Sequence, residues 1–108
     1  MYYFDPKDRE TKELAPGVRT RTFWGENLLL SVLEMDPNSE VPSHTHSHEQ
    51  GGIIIQGEVE MGIAGEAMTI GPGYVYVIPG DVEHWAKSGA QGAKVMDVFS
   101  PVREEFKY

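Results

Sequence analysis

The sequence alternates short stretches of β-branched and aromatic residues with turns rich in glycine and proline. From Val18 to Trp24, one parity carries Val, Thr, Thr and Trp, while Arg19 and Arg21 lie on the other. This alternation is typical of a half-buried strand. The same reasoning predicts further strands over residues 28–35, 51–56, 59–64, 67–70, 74–78, 83–87 and 93–99.

The pattern of elements indicates an all-β domain. Many short strands separated by Gly/Pro turns are typical of a β-sandwich or barrel. The only helical candidate is the turn Arg103–Phe106, and no linker or repeat divides residues 1–108. Apolar residues on both parities, as in Leu28–Leu30 and at Val95 and Met96, indicate strands covered on both faces. In so small a barrel this predicts a homodimer.

Charge and composition narrow the classes of partner. The 9 basic and 17 acidic residues give a net charge of −8, which argues against nucleic acid or an anionic membrane surface as a partner. A small anionic substrate would need a local positive site. Without cysteine, neither disulfides nor thiolate metal ligands are available. The N-terminus lacks the order of a signal peptide, and we expect a cytoplasmic protein.

The histidines are the first chemical signal. Three of the 4 histidines lie in His44-Thr45-His46-Ser47-His48. In an extended strand these imidazoles project to one side, so that two of them could chelate one ion. Taken separately, the cluster is also compatible with a solvated turn, and His84 with a structural or surface histidine.

The joint spacing resembles the two motifs of the cupin superfamily, across about a third of the chain. The matching positions are His44, His46, Gln50 and Gly57 in the first motif, and Gly73, Pro79 and His84 in the second. The resemblance implies a double-stranded β-helix, or jelly-roll, barrel with a metal ion inside. It also implies the ligand set His44, His46, Gln50 and His84.

Two positions depart from the usual cupin motifs. Gln50 replaces the usual glutamate ligand, and Asp81 replaces a glycine. A one-residue slip would make Glu49 the ligand. Parity favours Gln50, which shares the face of positions 44 and 46, but a turn at His48 could break that parity and leaves Glu49 open. His48 itself is either a substitute ligand or, as we favour, a substrate-binding residue of the pocket wall.

The neutral amide of Gln50 has a chemical consequence. Three imidazoles and one amide leave the charge of a divalent ion uncompensated, which favours Lewis-acid chemistry over stabilisation of a higher oxidation state. Such donors suit one divalent transition metal. Ni, Zn, Fe, Mn and Co all remain candidates.

The C-terminal strand carries a second signal. Val95, Asp97 and Phe99 share one face of this strand. If that face lines the barrel, Asp97 is a buried carboxylate that needs a cation or a metal-bound water. The simplest structural alternative is a salt bridge from Asp97 to Arg103 that holds the tail.

Three segments are together similar to the KdgF-type cupins of pectin and alginate breakdown. They are His-x-His-x-His-Glu-Gln, Ile-Pro-Gly-Asp-Val-Glu-His and Asp-Val-Phe-Ser-Pro-x-Arg-Glu-x-Phe. The resemblance implies conversion of 4,5-unsaturated monouronates into linear ketonised sugars, with Asp97 and Arg103 catalytic and Phe99 binding substrate. A planar guanidinium suits a uronate carboxylate, and Asp97 would be the general acid/base. Gly51-Gly52 departs from these cupins at a position where a bulkier residue could line the substrate pocket.

Two other functions compete with this hypothesis. One is a metal-dependent cupin dioxygenase, against which Gln50 counts, and the other is a non-catalytic sugar-binding cupin. Four aromatic residues could face a sugar pocket, although barrels commonly fill their interiors with such residues and we expect these in the core. They are Trp24, Tyr74, Tyr76 and Trp85.

Overall fold

The computed structural model describes residues 2–108, which form an eight-stranded antiparallel sheet. The strands are β1 (Lys12–Ala15), β2 (Val18–Trp24), β3 (Leu29–Met35), β4 (Glu40–His44), β5 (Glu49–Ile63), β6 (Glu66–Ile70), β7 (Val75–Ile78) and β8 (His84–Ser100). Short 3-10 turns at Pro6–Asp8 and Glu104–Phe106 flank them. The all-β prediction is confirmed.

The long strands β5 and β8 pair along their lengths and organise the barrel. The path of neighbouring strands is β1-β2-β3-β8-β5-β6, with β4 joined to β8 and β7 joined to β5. Inward side chains of these strands alternate with outward ones, as in β7, where Tyr76 and Ile78 are buried and Val75 and Val77 are exposed. The main core cluster comprises Val18, Leu33, Met35, Ile54, Val59, Met61, Ile70, Tyr76, Ile78 and Val95.

Two predicted turns lie inside continuous strands. The predicted breaks between strands 51–56 and 59–64 and between strands 83–87 and 93–99 contain Gly57-Glu58 and Gly89–Gly92, but β5 and β8 run through them. Gly57 and Gly92 have φ of +78° and +74°, and a Cβ at Gly57 would overlap the carbonyl of Gly92. The register of β5 on β8 shifts between Gly57 and Val59. These glycines therefore act as a bulge that bends paired strands.

The remaining elements follow the sequence more closely. The prediction of a strand over Val18–Trp24 is confirmed as β2, and the helical candidate in the tail is the 3-10 turn Glu104–Phe106. The strands β1 and β4 were missed, since both are short and β4 contains Pro42. Neither 3-10 turn of residues 2–108 is long and apolar enough to cross a membrane.

The tail folds back over one end of the barrel. Val102 packs with Leu29 and Phe99 in a second core cluster, against which Phe106 also lies. The Thr22 hydroxyl donates a hydrogen bond of 2.6 Å to the carbonyl of Phe106. These contacts hold Arg103 where it can reach the interior.

Candidate metal centre and active site

Three histidines converge from different elements. His44 ends β4 and His84 begins β8, where the two residues are paired across the strands, and His46 lies in the turn that leads into β5. One ring nitrogen from each of the three residues lies within 4.8 Å of the other two. This separation suits three ligands of a single ion.

Backbone carbonyls orient all three imidazoles in the same way. The Nδ1 atoms of His44, His46 and His84 lie 2.9, 3.0 and 2.8 Å from the carbonyl oxygens of Pro42, His48 and Val82. A carbonyl can only accept, so each Nδ1 carries the proton and each Nε2 presents a lone pair. Holding one ring nitrogen in this way is how metal-binding histidines are usually oriented.

The electrostatics keep two of these rings neutral. Burial lowers the pKa of His46 and of His84, and the nearby charge of Arg103 lowers both further. The Nε2 atom of His84 is buried and has no hydrogen-bond partner among the described residues. A neutral imidazole with an unpartnered lone pair fits a metal ligand.

Gln50 lies beside this triad. Its Oε1 atom is 3.0 Å from Nε2 of His46. The Gln50 side chain also lowers the pKa of Asp97 by hydrogen bonding to it, and an ionised carboxylate can accept only from the amide nitrogen. The lone pairs of Oε1 and Nε2 then face each other, an arrangement that a shared cation satisfies. Gln50 is buried whereas Glu49 is exposed, which supports Gln50 over Glu49. The donor set therefore fits a divalent transition metal.

The turn at Asp81 fixes the backbone of the histidine segment. The Asp81 amide donates a hydrogen bond of 2.8 Å to the carbonyl of His46, and Gly80 lies against the backbone of Ser47. Asp81 has φ of +63°, a left-handed conformation that glycine adopts freely and aspartate tolerates. The glycine-to-aspartate departure therefore preserves the turn.

His48 lies next to the triad rather than within it. Its ring centroid is 5.7 Å from that of His46, and its carbonyl accepts the His46 hydrogen bond described above. The Nδ1 atom of His48 is buried without a hydrogen-bond partner in the described part of the chain. A substrate-binding role for His48 stays a prediction.

Asp97 is buried, with 6% of its surface exposed. Burial raises the pKa of Asp97 to about 6, against the opposing effects of hydrogen bonds from Tyr76 and Gln50 and of the charge of Arg103. A carboxyl group with this pKa can both take up and release a proton near neutral pH.

Arg103 pairs with Glu105 rather than with Asp97. Its Nε atom donates a hydrogen bond of 2.7 Å to Glu105, and its guanidinium carbon lies 3.9 Å from the ring centroid of Phe106 and 5.1 Å from that of Phe99. The predicted alternative of an Asp97–Arg103 salt bridge is therefore wrong. Each of the two charged groups has its own partners, which keep the groups apart.

One cavity connects these groups. Its polar lining includes His44, His84, Gln50, Asp97 and Arg103, with Phe99 beside them. Most of its other lining residues are apolar, and several of them, such as Leu33, Val59 and Val95, belong to the barrel core.

The aromatic residues divide into two pairs. Trp85 and Tyr76 line the cavity, whereas Trp24 and Tyr74 are 37% and 51% exposed. The expectation of a core position is thus met by Tyr76 and is wrong for Trp24 and Tyr74.

Sequence reasoning missed the hydrogen bond from Tyr76 to Asp97. The signal that could have indicated it is Gly52, which leaves space for the phenol.

The chain is similar to known proteins in sequence and in fold. Over 106 residues the chain is 26% identical to the pectin degradation protein KdgF of Dickeya dadantii, covering 96% of both chains. The structure of KdgF from Halomonas sp. superposes with a TM-score of 0.90 at 25% identity, over 97% of each chain. An RmlC-like cupin from Shewanella frigidimarina gives 0.91 at 23% identity, over 98% of this chain and 96% of that one.

The family match covers the core of the site. Residues 31–99 match the model of the cupin domain. This range begins within β3, ends within β8 and contains the histidine triad, Gln50 and Asp97. Arg103 lies in the tail beyond it. The chain belongs to the cupin domain family.

Proposed function

We propose that this protein opens the ring of 4,5-unsaturated monouronates released in pectin or alginate breakdown and converts them into linear ketonised sugars. The observation that carries the proposal is that Asp97 and Arg103 line the same cavity as His44, Gln50 and His84. The likeness to KdgF proteins supports the same chemistry.

The metal would be held by His44, His46, Gln50 and His84. When bound, a divalent ion supplies Lewis-acid polarisation of a sugar oxygen. The imidazoles and the amide add no negative charge, so they do not offset that effect.

Arg103 would bind the substrate carboxylate. Because Glu105 engages Nε, the two Nη groups remain to donate to a carboxylate in the bidentate fashion that guanidinium favours. Stacking of the Arg103 guanidinium on the Phe106 ring fixes the plane in which these two Nη groups lie. Arg103 supplies the local positive charge that an anionic sugar needs to bind a chain of net charge −8.

Asp97 would move the protons. As general base it takes the proton of the C1 hydroxyl, the bond from C1 to the ring oxygen breaks, and C1 becomes an aldehyde. The ring oxygen receives a proton and leaves C5 as an enol. Loss of the enol proton and protonation of C4 then give a ketone at C5. The product is an isomer of the substrate, and no oxidant or reductant is required.

A coupled digest tests this function. A pectate or alginate lyase generates the unsaturated monouronate, metal-loaded protein is added, and the enol-ether ultraviolet absorbance is followed. We expect the absorbance to fall rapidly with wild-type protein, and Asp97→Asn and Arg103→Ala to abolish most of that loss while keeping the metal. A rate equal to the uncatalysed background would end the proposal. Oxygen consumption with bound Fe(II) and a catechol, diketone or thiol would favour a dioxygenase instead.

We further propose that the protein is a homodimer. Val75 and Val77 are 70% and 67% exposed on β7, and Ile53 of the adjoining β5 is 38% exposed. In the described residues β7 pairs only with β5, so its other edge can pair with a second copy. Light scattering of Val77→Arg should then show a monomer. A wild-type monomer at micromolar concentration would contradict this proposal.

A further inference from the structure

Gly52, Tyr76 and Asp97 form one row across the barrel. Gly52 lies between the other two, since it is paired with Tyr76 across β5 and β7 and with Asp97 across β5 and β8. The three residues therefore share the inward face of neighbouring strands, although they are far apart in sequence.

The Tyr76 side chain crosses directly over Gly52. A Cβ at position 52 would overlap both the Tyr76 phenol and an oxygen of the Asp97 carboxylate. Only a residue without a side chain leaves this path open. Tyr76 of the neighbouring strand therefore fills the space that a side chain at position 52 would otherwise occupy.

The phenol reaches the carboxylate as a hydrogen-bond donor. The Tyr76 hydroxyl bonds to Oδ1 of Asp97. Burial and the adjacent Asp97 charge raise the pKa of Tyr76, so the hydroxyl stays protonated. This hydrogen bond from Tyr76 restricts the rotation of the carboxylate.

The position of Tyr76 matters because Asp97 has a competing partner. Arg103 lines the same cavity, and a freely rotating carboxylate would be attracted to its guanidinium. Such a pair would remove both the acid/base group and the carboxylate-binding group from use. The hydrogen bond from Tyr76 to Asp97, together with the one from Arg103 to Glu105, opposes that pairing.

We propose that Tyr76 is a positioning residue that holds the Asp97 carboxylate in the orientation needed for proton transfer to the substrate. We also propose that position 52 must be glycine to leave room for the Tyr76 side chain. The inference rests on the proposed function for its kinetic consequence. Its structural consequence, the orientation of Asp97, does not depend on any substrate.

The kinetic test compares Tyr76→Phe with Tyr74→Phe in the metal-loaded protein. Tyr76→Phe should lower kcat about 10- to 100-fold, because a hydrogen bond to a charged group is lost. KM should stay within about twofold and metal content should be unchanged, since the phenol contacts Asp97 rather than Arg103. Tyr74 is exposed, and its variant should match wild type.

A double-mutant cycle separates positioning from a general structural role. In an Asp97→Asn background, Tyr76→Phe should cause no further loss of kcat, because its effect passes through Asp97. An equal fold-loss in both backgrounds, or an unchanged kcat in Tyr76→Phe alone, would overturn the inference while the ring-opening function stands.

Crystal structures of three variants test the inference without substrate. The Asp97 carboxylate should turn away from position 76 in Tyr76→Phe and keep its orientation in Tyr74→Phe. Gly52→Ala should displace the Tyr76 phenol from Asp97. If Asp97 keeps its orientation in Tyr76→Phe, the inference is wrong, even if wild-type protein proves inactive on unsaturated uronates.

Discussion

Oε1 of Gln50 lies 3.0 Å from Nε2 of His46, and hydrogen bonding by the same side chain lowers the pKa of Asp97. Gln50 thus connects the candidate metal centre with the candidate acid/base group. A glutamate could replace the first contact but not the second, because an ionised carboxylate has no proton to donate. The geometry gives a physical reason for the amide at a position where cupins usually carry glutamate.

Gln50→Glu should therefore retain the metal and lose activity. The variant restores a carboxylate ligand, but it removes the donor to Asp97 and places two carboxylates side by side. We expect kcat to fall about 10- to 100-fold, with metal content measured on the same sample. Glu49→Gln should change neither quantity. Loss of metal in Glu49→Gln with retention in Gln50→Ala would instead show that Glu49 is the ligand.

Metal binding should stabilise the fold. An ion that binds only the folded chain at about 100 times its Kd adds about 2.7 kcal/mol, which raises Tm by roughly 10–20 °C in a domain of this size. Differential scanning calorimetry with and without chelator measures this shift. His44→Ala should abolish it and His48→Ala should keep it. A shift that survives His44→Ala would exclude His44 from the ligand set.

Arg103→Lys should separate charge from shape. Lysine keeps the positive charge but lacks the planar fork that pairs with a carboxylate. We expect KM for the unsaturated uronate to rise about tenfold, with kcat changed less. Lys107→Ala, a cation of the same tail that pairs with Glu104, is the matched control. Equal KM values for wild type and Arg103→Lys would remove the carboxylate-binding role.

Thr22→Val should loosen the tail that carries Arg103. The substitution removes the donor to the Phe106 carbonyl while keeping the shape of the side chain, at a cost of about 1 kcal/mol. Hydrogen exchange should then quicken in residues 103–108, and KM should rise several-fold. Thr69→Val, on the exposed face of β6, should leave the tail protected. Unchanged exchange in Thr22→Val would mean that Val102 and Phe106 anchor the tail without it.

Local patterns predicted the parts of this molecule that depend on neighbouring residues in sequence. The alternation in Val18–Trp24 gave β2 with its bounds, and the spacing from His44 to His84 predicted residues that the structure brings together. Strand continuity at Gly57 could not be predicted, because a positive-φ glycine marks a turn or a bulge equally well. The strand β4 was not predicted because it is short and contains a proline.

The contacts around Asp97 depend on register between distant strands. Burial of Asp97 followed from its parity, but its partners did not. Gly52 and Tyr76 become its neighbours only through the pairing of β5 with β7 and β8. The fold of the tail places Glu105 within hydrogen-bond distance of Arg103. Arg103 therefore pairs with Glu105, and the predicted salt bridge to Asp97 was wrong.

Ring opening with ketonisation can be observed directly by running the reaction in D₂O and examining the product by ¹H NMR and mass spectrometry. We expect a linear isomer with a C5 ketone and solvent deuterium at C4, formed rapidly by wild-type protein and far more slowly by Asp97→Asn. A product that has gained oxygen, or a 4,5-unsaturated ring that stays intact in the presence of metal-loaded wild-type protein, would contradict the proposed function.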